Sequence, residues 1–183
     1  MTTDTIIQNG NPTLRKTARE IAPELIGGKT LSAEIQQMKD ALRLEFEGVA
    51  LAAPQVGISK RMFIVSGRVF APDGSHPDQI YINPTIIKQS KKTALMDEGC
   101  LSVLYSYGQV KRHTNVTITY YDEHGSFKTR GAGGLLAHIF QHEIDHLDGI
   151  LFIDKAERLE ELKGADKKAF DQQRMNYINN LDD

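Results

Sequence analysis

The sequence predicts an α+β fold: mainly antiparallel sheets around a central helix carrying H-E-x-x-H, closed by a C-terminal helix. Three observations lead there. Strand-like stretches cluster in the middle of the chain and helical patterns flank them, unlike the strand–helix alternation of a wound parallel sheet. The stretch "VKRHTNVTITYYD" (110–122) alternates Val116, Ile118 and Tyr120 with Asn115, Thr117 and Thr119, the period of a half-buried strand. The stretch 135–148 places Leu136, Phe140, Ile144 and Leu147 at helical spacing behind a glycine-rich entry. With 183 residues and neither repeats nor a linker, the chain is expected to be one domain, 1–183.

Taken in order, residues 1–30 read as irregular, with Pro12, Pro23 and Gly27-Gly28. Ser32 is placed to cap a helix through "AEIQQMKDALRLEFE", in which Ile35, Met38, Leu42 and Phe46 share a face until Gly48 ends the pattern. "RMFIV" (61–65) reads as a short buried strand, 66–78 as a loop, and "QIYINPTIIKQ" (79–89) as an extended region interrupted by Pro84. The strand at 110–122 turns at "DEHG" and pairs back through "SFKTR". Gly131, Gly133 and Gly134 lead into the helix from about 135 to 148, ended by Gly149, and a last helix is expected from beyond Asp154 into the 170s, with a break near Gly164.

Composition narrows the function. Apolar residues make up 40% and charged residues 25%, as in ordinary globular proteins, and a net charge of −2 offers no electrostatic footprint for nucleic acid. No apolar run approaches the roughly 20 residues that span a bilayer, and "MTTDTIIQNG" has the features of neither a secretory signal nor a transit peptide, so the expected location is cytoplasmic. The single cysteine, Cys100, excludes an intrachain disulfide.

The chemistry concentrates in "QHEIDHLDGILF" (141–152). His142 and His146 are one helical turn apart, so both imidazoles reach one ion, while Glu143 is rotated by about 100° and sits beside it as a general base. The third ligand sets the class. A metzincin would need a histidine at position 152, which is Phe. A gluzincin-type peptidase would take a downstream carboxylate, with Glu157, Glu160 and Glu161 as candidates. The upstream alternative is Cys100 in "EGCLS", beside Gly99, a thiolate suited to Zn²⁺ and Fe²⁺. One Cys and two His leave a fourth position open, the pattern of catalytic rather than structural sites.

Three motifs in order resemble the peptide deformylase family: "GVALAAPQ" (48–55) for its G-x-G-L-A-A-x-Q, "EGCLS" (98–102), and "QHEIDH" (141–146). "IIQNGNPTLRKTA" (6–18) and "GILFID" (149–154) extend the likeness over nearly the whole chain, the last 25 or so residues excepted. The resemblance implies a metal held by Cys100, His142 and His146, with Glu143 as general acid/base and Gln55 and the backbone N–H of Leu101 stabilising an oxyanion. It implies substrate contacts at Gly48, Ala50 and Gly99, and a Glu98–Arg112 pair bracing the ligands. It also implies Fe²⁺ in cells, with Zn²⁺, Ni²⁺ or Co²⁺ also accepted, and N-formyl-Met nascent peptides as substrate; the charge balance gives no expectation of direct nucleic-acid binding and leaves any ribosome association to protein contacts. A non-catalytic relative that binds chain N-termini is the remaining alternative. Two positions depart from the family pattern. Ala50 replaces a usual Gly and is expected to narrow the groove; Leu104 replaces a usual Pro and is expected to loosen a turn.

Overall fold

The computed structural model describes residues 6–181. Its elements run α1 (Lys29–Arg43), β1 (Ala50–Ala52), β2 (Met62–Val65), β3 (Gln79–Gln89), β4 (Thr93–Gly99), β5 (Ser106–His113), β6 (Asn115–Tyr121), β7 (Phe127–Gly133), α2 (Gly134–Leu147), β8 (Arg158–Glu161) and α3 (Gly164–Asn179), with short 3₁₀ turns between them. The strands form a five-stranded sheet in the order β1-β2-β3-β6-β7 and a three-stranded sheet in the order β4-β5-β8, and every pairing is antiparallel. Antiparallel sheets with flanking helices make this an α+β protein. No helix among the described residues is long and apolar enough to cross a membrane.

Period-two alternation explains why the first strands read as unbroken apolar runs. Leu51, Met62, Ile64, Ile80 and Ile82 face one way and pack with Leu31, Ile35, Met38 and Leu42 of α1. Ala52, Phe63, Val65 and Tyr81 face the other way and pack with Ala137, Phe140, Ile144 and Leu147 of α2. The large sheet is therefore covered on both faces. α2 lies between the two sheets: its apolar stripe is buried on the large one, and its polar face reaches side chains of β4 and β5.

Several boundaries differ from the sequence expectation. The stretch 110–122 is two strands in two sheets, parted at Thr114. Gln141 of the H-E-x-x-H helix holds that crossover, accepting from the His113 N–H and donating to the His113 carbonyl, both at 2.9 Å. α1 begins at Lys29 with Gly28 as its cap, and Ser32 lies inside it, its hydroxyl donating back to the Gly28 carbonyl. Residues 79–89 form one strand; Asn83, with φ 49° before Pro84, produces a register shift that its amide stabilises by bonding both backbone groups of Ile21. Residues 158–161, expected as helix, are strand β8. Gly108 makes this possible, since a Cβ there would lie 2.6 Å from the Arg158 carbonyl oxygen, and pairing with β5 overrides the local helical preference. Strands β1 and β4 were not foreseen at all.

Candidate active site at a thiol and two imidazoles

β4 delivers Glu98 and Gly99 to the site and then turns, with the Val103 N–H donating to the Cys100 carbonyl at 2.9 Å. The turn aims the thiol at α2. Cys100 Sγ lies 3.2 Å from His146 Nε2, and the ligand atoms of Cys100, His142 and His146 all fall within 4.8 Å of one another. Among the described residues this is the His/Cys/Asp/Glu group able to hold a metal ion. The other third-ligand candidates are elsewhere: Glu160 and Glu161 are exposed on β8 and Glu157 is exposed just before it.

Glu98 organises the imidazoles. It is 3% exposed, and each of its oxygens accepts two hydrogen bonds. Oε1 takes Arg112 Nε at 2.6 Å and His138 Nε2 at 2.7 Å; Oε2 takes Arg112 Nη2 at 3.0 Å and His142 Nδ1 at 2.8 Å. Burial alone would raise the Glu98 pKa, but the hydrogen bonds from His138, His142 and Arg112 hold it well below the usual carboxylate range. An ionised carboxylate only accepts, so His142 Nδ1 carries a proton; burial disfavours the imidazolium, but hydrogen bonds to Cys100 and Glu98 outweigh it and raise the His142 pKa well above the ordinary histidine value, so an ion bound at Nε2 would displace the proton there. Arg112 also donates to Asp145 at 2.6 Å, and Asp145 receives Lys155 at 2.7 Å. The chain from Lys155 to His142 thus fixes a ligand through charged, mostly buried partners.

His146 is 1% exposed, and burial keeps its pKa well below the ordinary histidine value, so it is neutral and able to coordinate. Glu143 is 4% exposed; its Oε2 is buried without a hydrogen-bond partner among the described residues, and burial pushes its carboxyl up to about 7. A carboxyl poised near neutrality can take and return a proton at cellular pH.

Gln55 approaches from the large sheet. Its Oε1 accepts from the Ala52 N–H at 2.8 Å, which sets the amide so that Nε2 faces the site, 3.1 Å from Ser102 Oγ and 3.7 Å from Cys100 Sγ. A cavity of about 250 Å³ opens here, lined by Gly48, Ala50, Gln55, Gly99, Leu101 and Glu143 together with Cys100 and His142. Gly99 lets the Tyr107 ring lie against its backbone, because a Cβ would sit 3.0 Å from that ring. At Leu104, whose turn was expected to be loose, the N–H donates to Gln8 Oε1 at 3.4 Å, a bond a proline could not make, and the next residue, Tyr105, has φ 66°. Ala50, expected to crowd the groove, is only 7% exposed; it pairs with Val65 in the β1–β2 register and belongs to the buried cluster between the large sheet and α2.

The structure adds residues that the motifs did not single out. His138 sits four residues before His142, so the i, i+4, i+8 spacing of three histidines was visible, yet its partner is Glu98 and not the thiol. Asp145 was inside "QHEIDH", and Ser102 inside "EGCLS". Phe170, which also lines the cavity, left no signal in the sequence.

An α+β fold that brings a thiol, two imidazoles and a buried, near-neutral carboxyl to the head of a groove defines a hydrolase with a site suited to a metal. The comparisons agree. The polypeptide deformylase family model matches residues 3–162. A peptide deformylase of Prochlorococcus marinus (strain NATL1A) is 39% identical over 160 residues, which are 86% of this chain and 75% of that one. Peptide deformylase 1A, chloroplastic/mitochondrial, of Arabidopsis thaliana is 37% identical over 162 residues, 82% of this chain but 60% of the plant protein's length. The crystal structure of a class I type b peptide deformylase from Acinetobacter baumannii bound to Met-Ala-Ser superposes with a TM-score of 0.74 at 35% identity, covering 82% of this chain and 96% of that one. The chain belongs to the polypeptide deformylase family, a family of metal-dependent hydrolases.

Proposed function

We propose that this chain hydrolyses the formamide at the N-terminus of newly made polypeptides, releasing formate and a free α-amine. The observation that carries the proposal is the convergence of Cys100 Sγ, His142 and His146 within 4.8 Å, beside a Glu143 oxygen with no hydrogen-bond partner among the described residues, at the head of one groove. The donor set fits a divalent ion: a thiol, an imidazole whose tautomer Glu98 dictates and an imidazole kept neutral by burial. Fe²⁺ is the expected ion in cells, with Zn²⁺, Ni²⁺ or Co²⁺ accepted, and it would be held by Cys100, His142 and His146. When bound, it lowers the pKa of water from about 15.7 toward neutrality and so supplies the nucleophile.

The remaining work belongs to the protein. Glu143 accepts the proton that the attacking water gives up and returns it to the leaving amine nitrogen as the C–N bond breaks. Gln55 Nε2 and the Leu101 N–H donate to the formyl oxygen as it gains charge, each worth roughly 3 kcal/mol if aimed at the oxyanion. Gly48, Ala50 and Gly99 line the groove, where their backbone would meet the peptide. Glu98 and Arg112 keep His142 oriented. The substrate is an N-formyl-Met nascent peptide, a reading supported by Met-Ala-Ser in the A. baumannii enzyme. The location is cytoplasmic, the chain acts as one domain, and any association with the ribosome runs through protein contacts.

Formate release from formyl-Met-Ala-Ser tests the proposal. Release by wild type and its loss, together with the ion, in Cys100→Ala is the expected result. Metal binding without formate release would identify a non-catalytic relative, and retention of the ion by Cys100→Ala would return the third-ligand role to a carboxylate.

A further inference from the structure

α3 lies beyond the residues matched by the family model, which ends at 162. None of its residues is buried, so it does not serve to fill a core. Its contacts with Glu45, Phe46 and Tyr105 fall instead on the two rims of the groove. On one rim, Arg174 makes a two-pronged pair with Glu45 at 2.6 and 3.0 Å, and Phe170 packs on Phe46 with ring centroids 5.3 Å apart. On the other, Phe170 meets Tyr105 edge-on at 5.6 Å, Asp171 accepts the Tyr105 hydroxyl at 2.8 Å, and Lys167 Nζ stands 4.1 Å from the Tyr105 ring centroid. The first rim leads into Gly48–Ala50 and the second leads out of Cys100–Leu101, so α3 straps together the two segments that flank the reacting centre. The Tyr107 hydroxyl, donating to Glu47 at 3.3 Å, crosses between the same rims.

Phe170 is the α3 residue that lines the cavity. Its ring neighbours, Phe46 and Tyr105, are rim residues and not the ligand-bearing side chains, which places it toward the outer part of the groove. We propose that α3 is the outer wall of the substrate groove and that Phe170 contacts the peptide residues following the formylated methionine, making it a specificity-determining residue. The assignment rests on the deformylase reading and adds an element outside the three motifs. An aromatic face at that position favours apolar residues in the second and third places of the substrate, because their burial against it removes apolar surface from water.

The experiment compares formyl-Met-Leu-Phe with formyl-Met amide, which ends at the first residue. In Phe170→Ala the ratio of kcat/KM for the long substrate to that for the short one is expected to fall on the order of fivefold, chiefly through KM, with Phe170→Leu recovering most of it. A purely structural role for Phe170 would move both substrates together. The chain contains no Trp, so Phe170→Trp places a single reporter at the wall. Its emission is expected to shift saturably with the product peptide Met-Leu-Phe. A ratio unchanged in Phe170→Ala, or an emission indifferent to Met-Leu-Phe, overturns the assignment. If wild type proves inactive on both formyl substrates, the deformylase reading fails, and the Trp emission alone then decides whether Phe170 contacts peptide in the groove.

Discussion

Replacing Glu98 by Gln tests the hydrogen-bonded frame behind the ligands. Gln has nearly the same shape, but it exchanges one acceptor oxygen for an NH₂ group and removes the charge. All four bonds to Glu98 come from donors, so at least one nitrogen of Arg112, His138 or His142 must then face another donor. The Arg112 side chain is 5% exposed, and breaking a buried ion pair from one side typically costs about 3–5 kcal/mol. Asp145 still pairs with Arg112 at 2.6 Å, which puts the expectation at the low end, about 3 kcal/mol. For a chain of 183 residues that corresponds to a fall of roughly 6–12 °C in Tm. The second effect falls on His142, which loses the acceptor that fixes its tautomer; metal affinity should drop roughly 10- to 100-fold. Thermal unfolding in the presence of chelator reads the first effect, and titration against a competing chelator reads the second. Glu160→Gln, at an exposed carboxylate on β8, is the control, expected to stay within about 0.5 kcal/mol of wild type. If Glu98→Gln melts with wild type and binds metal as tightly, the network is incidental and the tautomer argument fails.

Glu143→Gln should keep the ion and lose 10²-fold or more in kcat, because an amide cannot carry the proton; near-normal turnover would remove Glu143 from that role. Iron-loaded enzyme prepared without oxygen should be active and should lose activity in air, with Cys100 as the residue whose mass increases, whereas nickel- or zinc-loaded enzyme should keep its thiolate far longer. Peptide mapping around "EGCLS" follows that oxidation directly, and an unmodified Cys100 in air-inactivated enzyme would place the damage elsewhere. The C-terminal segment 154–183, with six Lys or Arg against eight Asp or Glu, should not confer salt-sensitive RNA binding on the whole protein; a steep salt dependence lost on mutating Lys167 and Lys168 would contradict this.

The site was more legible in the sequence than the sheets were. His142, Glu143 and His146 are read from spacing on one helix, since side chains four apart share a face whatever surrounds them. The fold around them depends on pairings between distant segments, which local patterns do not carry. β8 shows this: "RLEE" favours a helix locally, and only the space left by Gly108 on β5 turns it into a strand. The break at Thr114 was hidden for a related reason, because alternation continues on both sides of it while the chain passes from one sheet to the other. His138 illustrates the converse limit. Its spacing is that of a ligand, and only the position of Glu98 at the end of β4, 2.7 Å from its Nε2, gives it a different partner. Phe170 was illegible because its contacts, Phe46 and Tyr105, are far from it in the chain and α3 has no apolar stripe to announce a docking face.

Ala50 shows how a departure from a family motif changes meaning once the side chain is placed. Read in the sequence, an added methyl on a substrate-binding strand suggests crowding, and Ala50→Gly would then raise kcat/KM. In the structure Ala50 pairs with Val65 in the β1–β2 register, and its side chain belongs to the cluster that joins the large sheet to α2. Ala50 lines the groove but is only 7% exposed, so its methyl offers the peptide little surface. The glycine variant should lose about 0.5–1 kcal/mol from the entropy of ordering a more flexible strand residue. At this chain length that is about 1–4 °C in Tm. Catalytic efficiency on formyl-Met peptides should stay within about twofold, as the methyl lost is a buried one that offers the groove little surface. The discriminating result is the pairing of the two measurements. A small fall in Tm with unchanged kcat/KM places the methyl in the core; a severalfold rise in kcat/KM would show that it does meet the substrate and that burial in the free protein is a poor guide to which atoms the peptide touches.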